Sequence, residues 1–224
     1  MSIPNSFNPM GTLQGGRPSG YVTRNLVYWL DCAAESDGAV THLTEWVSER
    51  RIELTSTAGV VISDGVAQGS FSIPYGDFER RADYAVELVA SSLETGRVGV
   101  GVWNIHYEGG YRTYVYSLGL FNKLVYCSPP EHTVDMVLHK RYSLPQGKVG
   151  RLITVTADEM TATPQIDGNV LTETTVDGYG MSSLLNSSGV FAALRIYSSP
   201  LTDAEKAQNL ARDAERWDKT KIWI

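Results

Sequence analysis

Leu194-Arg195-Ile196-Tyr197-Ser198-Ser199-Pro200-Leu201-Thr202-Asp203-Ala204-Glu205 runs a strand-like segment straight into a well-signalled helix, and its reading decides the fold. The Thr202 hydroxyl is placed to accept from the backbone N–H of Glu205, and the Glu205 carboxylate to accept from the N–H of Thr202, a capping box. Asp203 adds negative charge where the helix dipole favours it. Ala204, Ala207, Leu210, Ala211, Ala214 and Trp217 follow at spacings of three and four, which predicts a helix over about 203–217 with one apolar stripe packed on the body. No other stretch reads as a clear helix.

Upstream of that ending the pattern is short apolar runs broken by turn signals, the signature of a sandwich or barrel. Strands are expected at Asn25–Leu30, Gly59–Ile62, Tyr84–Ala90, Val98–Ile105, Tyr111–Leu118, Thr133–His139, Arg151–Ala157, Thr161–Ile166 and Val190–Tyr197. Asp37-Gly38, Asp64-Gly65, Asp167-Gly168 and Asp177-Gly178 read as tight turns needing positive φ. Polar and apolar residues alternate in Tyr84-Ala85-Val86-Glu87-Leu88-Val89, which predicts half-buried antiparallel strands. There is no βαβ alternation, which argues against a doubly wound nucleotide-binding fold. The expected fold is all-β, an antiparallel sandwich closed by one C-terminal helix.

At 224 residues the chain is long enough for one large sandwich, and its composition shows no internal break. A net charge of −6 with scattered lysines and arginines gives no reason to expect nucleic acid. No apolar stretch approaches the roughly 20 residues that cross a bilayer. Met1-Ser2-Ile3-Pro4-Asn5-Ser6-Phe7 lacks a basic region and an apolar core, so synthesis in a cytoplasm without export by a leader is expected. Residues 1–20, with Pro4, Pro9, Pro18 and four glycines, read as an extended arm, and residues 21–224 as the domain. Ordering a backbone costs roughly 1–2 kcal/mol per residue. Ile3, Phe7, Met10 and Leu13 are the arm's sizeable apolar anchors, so a docking partner is expected: its own domain, a sister subunit or another chain. Cys32 and Cys127 permit one disulfide and require none; two buried free thiols are expected, with no redox or zinc role.

The order of these segments resembles the concanavalin A-like jelly roll and, within it, the laminin-G-like domains of bacterial and phage proteins. The resemblance spans about residues 26–217. It rests on Leu26-Val27-Tyr28-Trp29-Leu30-Asp31 followed by Thr44-Glu45-Trp46, on Tyr84–Val89, on His132-Thr133-Val134, on Arg151–Asp158 with Gln165-Ile166-Asp167-Gly168, and most on Ala193–Tyr197 through Glu205 and Asn209. It implies an architecture better than an activity. It also implies a rim calcium site, for which Asp37, Asp64, Asp167 and Asp177 are the available ligands; turn geometry already accounts for these Asp-Gly pairs, so no metal or other cofactor is expected.

Glycan-cutting members of that superfamily place carboxylates at alternate positions on one strand, and acid/base pairs stand about 5–10 Å apart. No Glu-x-Asp-x-x-Glu occurs here. Glu45 and Glu49 flank Trp46 and read as solvated turn charges, and the adjacent Asp158 and Glu159 point to opposite faces of a strand. His42, His106, His132 and His139 stand in separate segments without a nucleophile motif, so no catalytic residue is assigned. The densest aromatic run, Trp103 to Tyr116, reads as a hairpin turning at Gly109-Gly110, and its tip and far strand supply candidate ligand-binding residues: Tyr107, Glu108, Tyr111, Arg112, Tyr114 and Tyr116. Together these features predict a non-enzymatic structural or adhesion protein of a tailed-phage virion, a head-fibre, decoration or tail-associated subunit assembled in the host cytoplasm. Its arm would dock on other virion proteins or sister subunits, and its jelly roll would face host glycan or protein. The alternative is a carbohydrate-binding module of a bacterial surface or secreted protein, which would be extracellular.

Overall fold

A computed structural model describes residues 18–74, 84–91, 96–106, 112–121, 124–128, 138–148, 150–158, 164–178 and 183–221; the backbone alone is described at 102–106, 112–119, 121, 124, 126–128, 138–141, 158 and 173–178. Two antiparallel sheets pack face to face. Across its width, the first runs β16 (Asn169–Val170), β15 (Gln165–Ile166), β14 (Leu152–Asp158), β9 (Ala85–Ser91), β19 (Val190–Tyr197), β1 (Leu26–Asp31), β3 (His42–Glu45) and β4 (Arg50–Glu53). Three short strands, β2 (Gly38–Val40), β6 (Val60–Ser63) and β7 (Val66–Gln68), join it through β19. The second sheet runs β17 (Glu173–Gly178), β13 (Leu138–Ser143), β12 (Leu124–Ser128), β11 (Arg112–Phe121), β10 (Arg97–His106), β18 (Leu185–Ser187), β8 (Phe71–Ile73) and β5 (Thr55–Ser56). The helix α1 (Asp203–Arg216) covers the outer face of the first sheet. The fold is therefore an all-β sandwich with one C-terminal helix.

Strand alternation assigns the two faces of the first sheet to different chemistry. Val86, Leu88 and Ala90 of β9, Leu194 and Ile196 of β19, Tyr28 and Leu30 of β1 and Ile153 and Val155 of β14 point inward. They meet Phe71, Ile73, Val98, Val100, Leu120, Val125 and Leu185 of the second sheet in one apolar core. Outward on the same strands stand Trp29, Glu87, Thr154, Thr156, Arg195 and Tyr197, all buried. Thus β9 is buried on both faces rather than half-buried as its alternation predicts, because α1 and the segment Tyr21-Val22 lie over its polar side.

The capping box at Thr202 and Glu205 is present: the Thr202 hydroxyl accepts from Glu205 N–H at 3.3 Å, and Glu205 Oε2 accepts from Thr202 N–H at 2.8 Å. The predicted alanine stripe, by contrast, faces solvent. Ala204, Ala207, Ala211 and Ala214 are exposed and Leu210 is half-buried; the helix is seated by Asn209, Asp213 and Arg216, with Trp217 at its end. The sheet surface beneath explains the reversal. It carries the cross-strand neighbours Glu87 and Arg195, and two buried charges require polar partners that alanine cannot supply.

The Asp64-Gly65 and Asp167-Gly168 turns adopt the expected left-handed geometry, with φ of 54° and 72° in the first and 46° and 80° in the second. Asp177-Gly178 is no turn: it ends β17, with His139 opposite Asp177 and Leu138 opposite Gly178. Glu45 is no solvated rim charge either. It is 2% exposed and accepts from the N–H of Trp29 at 3.0 Å, Val47 at 2.9 Å and Ser48 at 2.8 Å, so it braces the turn that carries Trp46. Cys32 is a buried free thiol whose pKa is raised by burial. Among the described residues no group of three or more His, Cys, Asp or Glu side chains is arranged to hold a metal, and no helix is long and apolar enough to cross a membrane.

Candidate functional site

One row of directly opposed residues crosses the outer face of the first sheet: Val170, Gln165, Thr156, Glu87, Arg195 and Trp29, one from each of six neighbouring strands. The helix covers part of this row and stops short of the rest. The covered part is sealed. Arg195 donates through Nε to Glu87 Oε2 at 2.8 Å and through Nη1 and Nη2 to the two Asp213 oxygens at 2.9 and 2.7 Å. Asn209 Nδ2 donates to the same Glu87 oxygen at 2.7 Å and to the Tyr197 hydroxyl oxygen at 2.9 Å. Tyr21 donates its hydroxyl proton to Asp213 at 2.9 Å and lays its ring under the Arg195 guanidinium, 4.6 Å from the ring centre. Arg216 pairs with Asp31 on the neighbouring strand.

Arg195, Glu87 and Asp213 are 0–1% exposed. Burial alone would lower the Arg195 pKa, but the flanking carboxylates of Asp213 and Glu87 hold it well above the ordinary value. Burial raises the Glu87 carboxyl above the usual range against the pull of Arg195. Burial likewise raises the Tyr21 and Tyr197 hydroxyls far beyond the range in which a tyrosine gives up its proton near neutral pH. Glu87 and Asp213 thus share one cation with no route to water or substrate. The cluster locks the helix to the sheet, and its carboxylates have no surface on which to act as acid or base.

Past the edge of α1 the row opens into a groove of about 330 Å³. Thr154 and Thr156 of β14, Gln165 of β15 and Val170 of β16 form its floor; Asp203, Lys206, Ala207 and Leu210 of α1 form the opposite wall. The Asp167-Gly168 turn closes one end, where a Cβ at Gly168 would make an ordinary van der Waals contact of 3.5 Å with Leu210 Cδ2. Val170 is 64% exposed, the most exposed large apolar residue described. The Thr154 hydroxyl is already committed, donating to Asp213 at 2.8 Å and accepting from Lys219. The Thr156 hydroxyl has only a 3.5 Å bond to Glu87, and the Gln165 amide takes no hydrogen-bond partner among the described residues. The groove therefore combines available hydroxyl and amide groups with a small apolar patch, in a volume suited to one sugar ring.

A second concavity of about 810 Å³ lies at the other end of α1, beside Gly65 and Trp217. Its polar groups are largely spent on the protein. Glu35 accepts from Thr44 N–H and Arg51, Asp64 pairs with Lys221 at 2.7 Å, Glu215 pairs with Arg212, and Trp217 is 3% exposed with its indole N–H donated to Gly65 at 2.9 Å. It offers a ligand neither an aromatic face nor the free amide found in the groove.

Strands β10 and β11 do pair as the predicted hairpin, with His106 opposite Arg112 and Asn104 opposite Tyr114, in the second sheet. Tyr107, Glu108 and Tyr111 lie outside the described residues, as do the side chains of Arg112, Tyr114 and Tyr116, and the arm anchors Ile3, Phe7, Met10 and Leu13. Of the aspartates available for the calcium site that the resemblance implies, Asp167 receives Lys148 at 2.5 Å, Lys219 at 3.2 Å and Thr154 N–H at 3.0 Å, and these two lysines hold its carboxyl below the usual range despite partial burial. The groove residues had a signal in the sequence. Thr154-Val155-Thr156 and Gln165-Ile166 alternate polar and apolar, with Val155 and Ile166 in the core and their neighbours on the outer face.

No family model matches the chain, and no curated protein sequence does. Solved structures do share its fold. Trypanosoma rangeli sialidase in complex with sialic acid superposes with a TM-score of 0.52 at 11% identity, over 85% of this chain and 33% of that one. The ligand-binding domain of botulinum neurotoxin serotype D in complex with N-acetylneuraminic acid gives 0.51 at 9% identity, over 84% and 50%. The binding domain of botulinum neurotoxin DC in complex with SialylT gives 0.51 at 9%, over 84% and 51%. The chain thus spans a third to about half of the length of each. At these identities the shared property is the sandwich itself.

Proposed function

We propose that this chain is a non-enzymatic carbohydrate-binding sandwich. The observation that carries the reading is the groove beside α1, a concavity of monosaccharide size with an amide unengaged among the described residues, a weakly engaged hydroxyl and an apolar patch. Support comes also from solved structures that share the fold over a third to a half of their length and are complexes with sialic acid, N-acetylneuraminic acid or SialylT. The buried state of Glu87 and Asp213 favours binding over hydrolysis. A glycan array tests this with three proteins: wild type, the groove variant Gln165→Ala/Val170→Asp, and the hairpin variant Tyr111→Ala/Arg112→Ala/Tyr114→Ala. Binding lost in the groove variant alone supports the reading; loss in the hairpin variant alone moves the site to the second sheet, and no binding by wild type leaves a scaffold. Release of product from a bound glycan would overturn the non-enzymatic part.

The finer reading is a laminin-G-like adhesion or decoration subunit of a tailed-phage virion, assembled in the host cytoplasm and docked through its N-terminal arm, residues 1–20. In its favour, the backbone entering the domain is fastened to the helix: Arg212 donates to the Ser19 carbonyl and Gln208 to that of Gly20, each at 3.0 Å. A preceding segment would therefore leave the body from a fixed point. If particles incorporate a variant lacking residues 1–20 as well as the full chain, the docking role fails. Recovery of the native protein at a bacterial surface would favour the extracellular alternative.

A further inference from the structure

Two of the solved structures that share this fold over a third to a half of their length are complexes with sialic acid, a carboxylated sugar, and a charge-assisted bond to such a ligand takes a cation that no protein carboxylate already neutralises. Around the groove each cation among the described residues faces a carboxylate. Lys206 stands 3.8 Å from Asp203 on the helix wall, Lys148 and Lys219 both bond Asp167 behind the end turn, and Arg195 lies between Glu87 and Asp213 under the helix. The start of α1 offers no substitute. The Glu205 N–H is capped by the Thr202 hydroxyl, and the Asp203 and Glu205 carboxylates already occupy the positive end of the dipole. Asp203, with its side chain 98% exposed at the rim, would repel an incoming carboxylate.

What the groove presents instead suits an uncharged ring. Thr156, Gln165 and Val170 stand directly opposite one another on three adjacent strands, so a hydroxyl, an amide and a valine are spaced by the strand separation of about 4.8 Å along one line. A pyranose lying along that line meets the amide and hydroxyl with its edge and the Val170 and Leu210 methyls with a C–H face. Gln165 supplies both a donor and an acceptor, which fits a vicinal diol.

We infer that the groove binds a neutral pyranose and discriminates against acidic sugars. This rests on the glycan-binding reading above. Saturation-transfer NMR on the full chain tests it, with methyl α-D-glucopyranoside, methyl β-D-galactopyranoside and methyl α-D-mannopyranoside as neutral probes and N-acetylneuraminic acid as the acidic one. Wild type is expected to bind at least one neutral probe about tenfold more tightly than N-acetylneuraminic acid, and Gln165→Ala to weaken that binding about tenfold, the scale of one lost hydrogen bond. Equal or tighter binding of N-acetylneuraminic acid that Gln165→Ala abolishes would overturn the neutral preference and leave the glycan reading standing. No binding of any probe, or binding that Gln165→Ala and Val170→Asp leave unchanged, would overturn the groove as a site and the inference with it. Circular dichroism of the variants checks the fold, which these partly or largely exposed positions do not support.

Discussion

The two halves of the row across the outer sheet face differ in one respect, the helix above them. Glu87 and Arg195 lie beneath α1, bonded to Asp213 and Asn209 and closed to water; Thr156, Gln165 and Val170 lie beyond it and line a groove. Both halves carry polar groups on a β-sheet. Cover makes one a fastening and leaves the other a surface able to recognise a ligand. The comparison also shows how the groove keeps its shape: its helical wall is held by directional charge-assisted bonds rather than by an apolar stripe free to slide.

The largest effect is expected from breaking the sealed half. Arg195→Ala leaves Glu87 and Asp213 buried without their cation, which should cost about 3–5 kcal/mol in denaturant unfolding. The combined variant Glu87→Leu/Arg195→Met/Asp213→Leu should be less destabilised than Arg195→Ala alone, because it removes the stranded charges. If the single variant unfolds like wild type, the seal is not what holds the helix. Removing the cap with Thr202→Ala is expected to cost about 1 kcal/mol in the same assay.

A smaller effect should be visible in acid. Hydrogen bonds from Arg24, then from the Thr202 backbone, lower the Glu205 pKa from 4.5 to about 2. A carboxylate depressed on folding stabilises the protein above its unfolded value and loses that contribution as pH falls through the folded one. The difference in melting temperature between wild type and Arg24→Ala should therefore be present above about pH 4.5 and vanish towards pH 2. The smallest change is expected outside both halves: Ala211→Glu, on the exposed ridge, should alter stability by no more than about 0.5 kcal/mol. A loss of several kcal/mol there would mean that the alanine face is packed after all.

The strand-to-helix ending was legible because capping chemistry is local: Thr202, Asp203 and Glu205 specify their own hydrogen bonds whatever the rest of the chain does. The face by which the helix docks was not. Alanines at spacings of three and four resemble a packing stripe, and only the cross-strand pairing of Glu87 with Arg195 shows that the complementary surface is charged. That pairing joins positions 108 residues apart, a separation no short pattern reveals. The sequence still held a hint, since Asn209, Asp213 and Arg216 recur with helical spacing while single charges interrupt the apolar runs at Glu87 and Arg195. Asp177-Gly178 misled for a related reason: the dipeptide tolerates a turn but does not impose one where a partner strand is available. The groove needed three strands and a helix assembled before Thr156, Gln165 and Val170 became neighbours.

Whether the uncovered half of the row binds sugar can be read from backbone amide shifts on titration with the neutral methyl pyranosides. The largest shifts are expected at Thr156, at Gln165 to Val170 and at Asp203 to Leu210, with β10 and β11 little changed. Shifts concentrated in β10 and β11, with the groove amides unmoved, would contradict it.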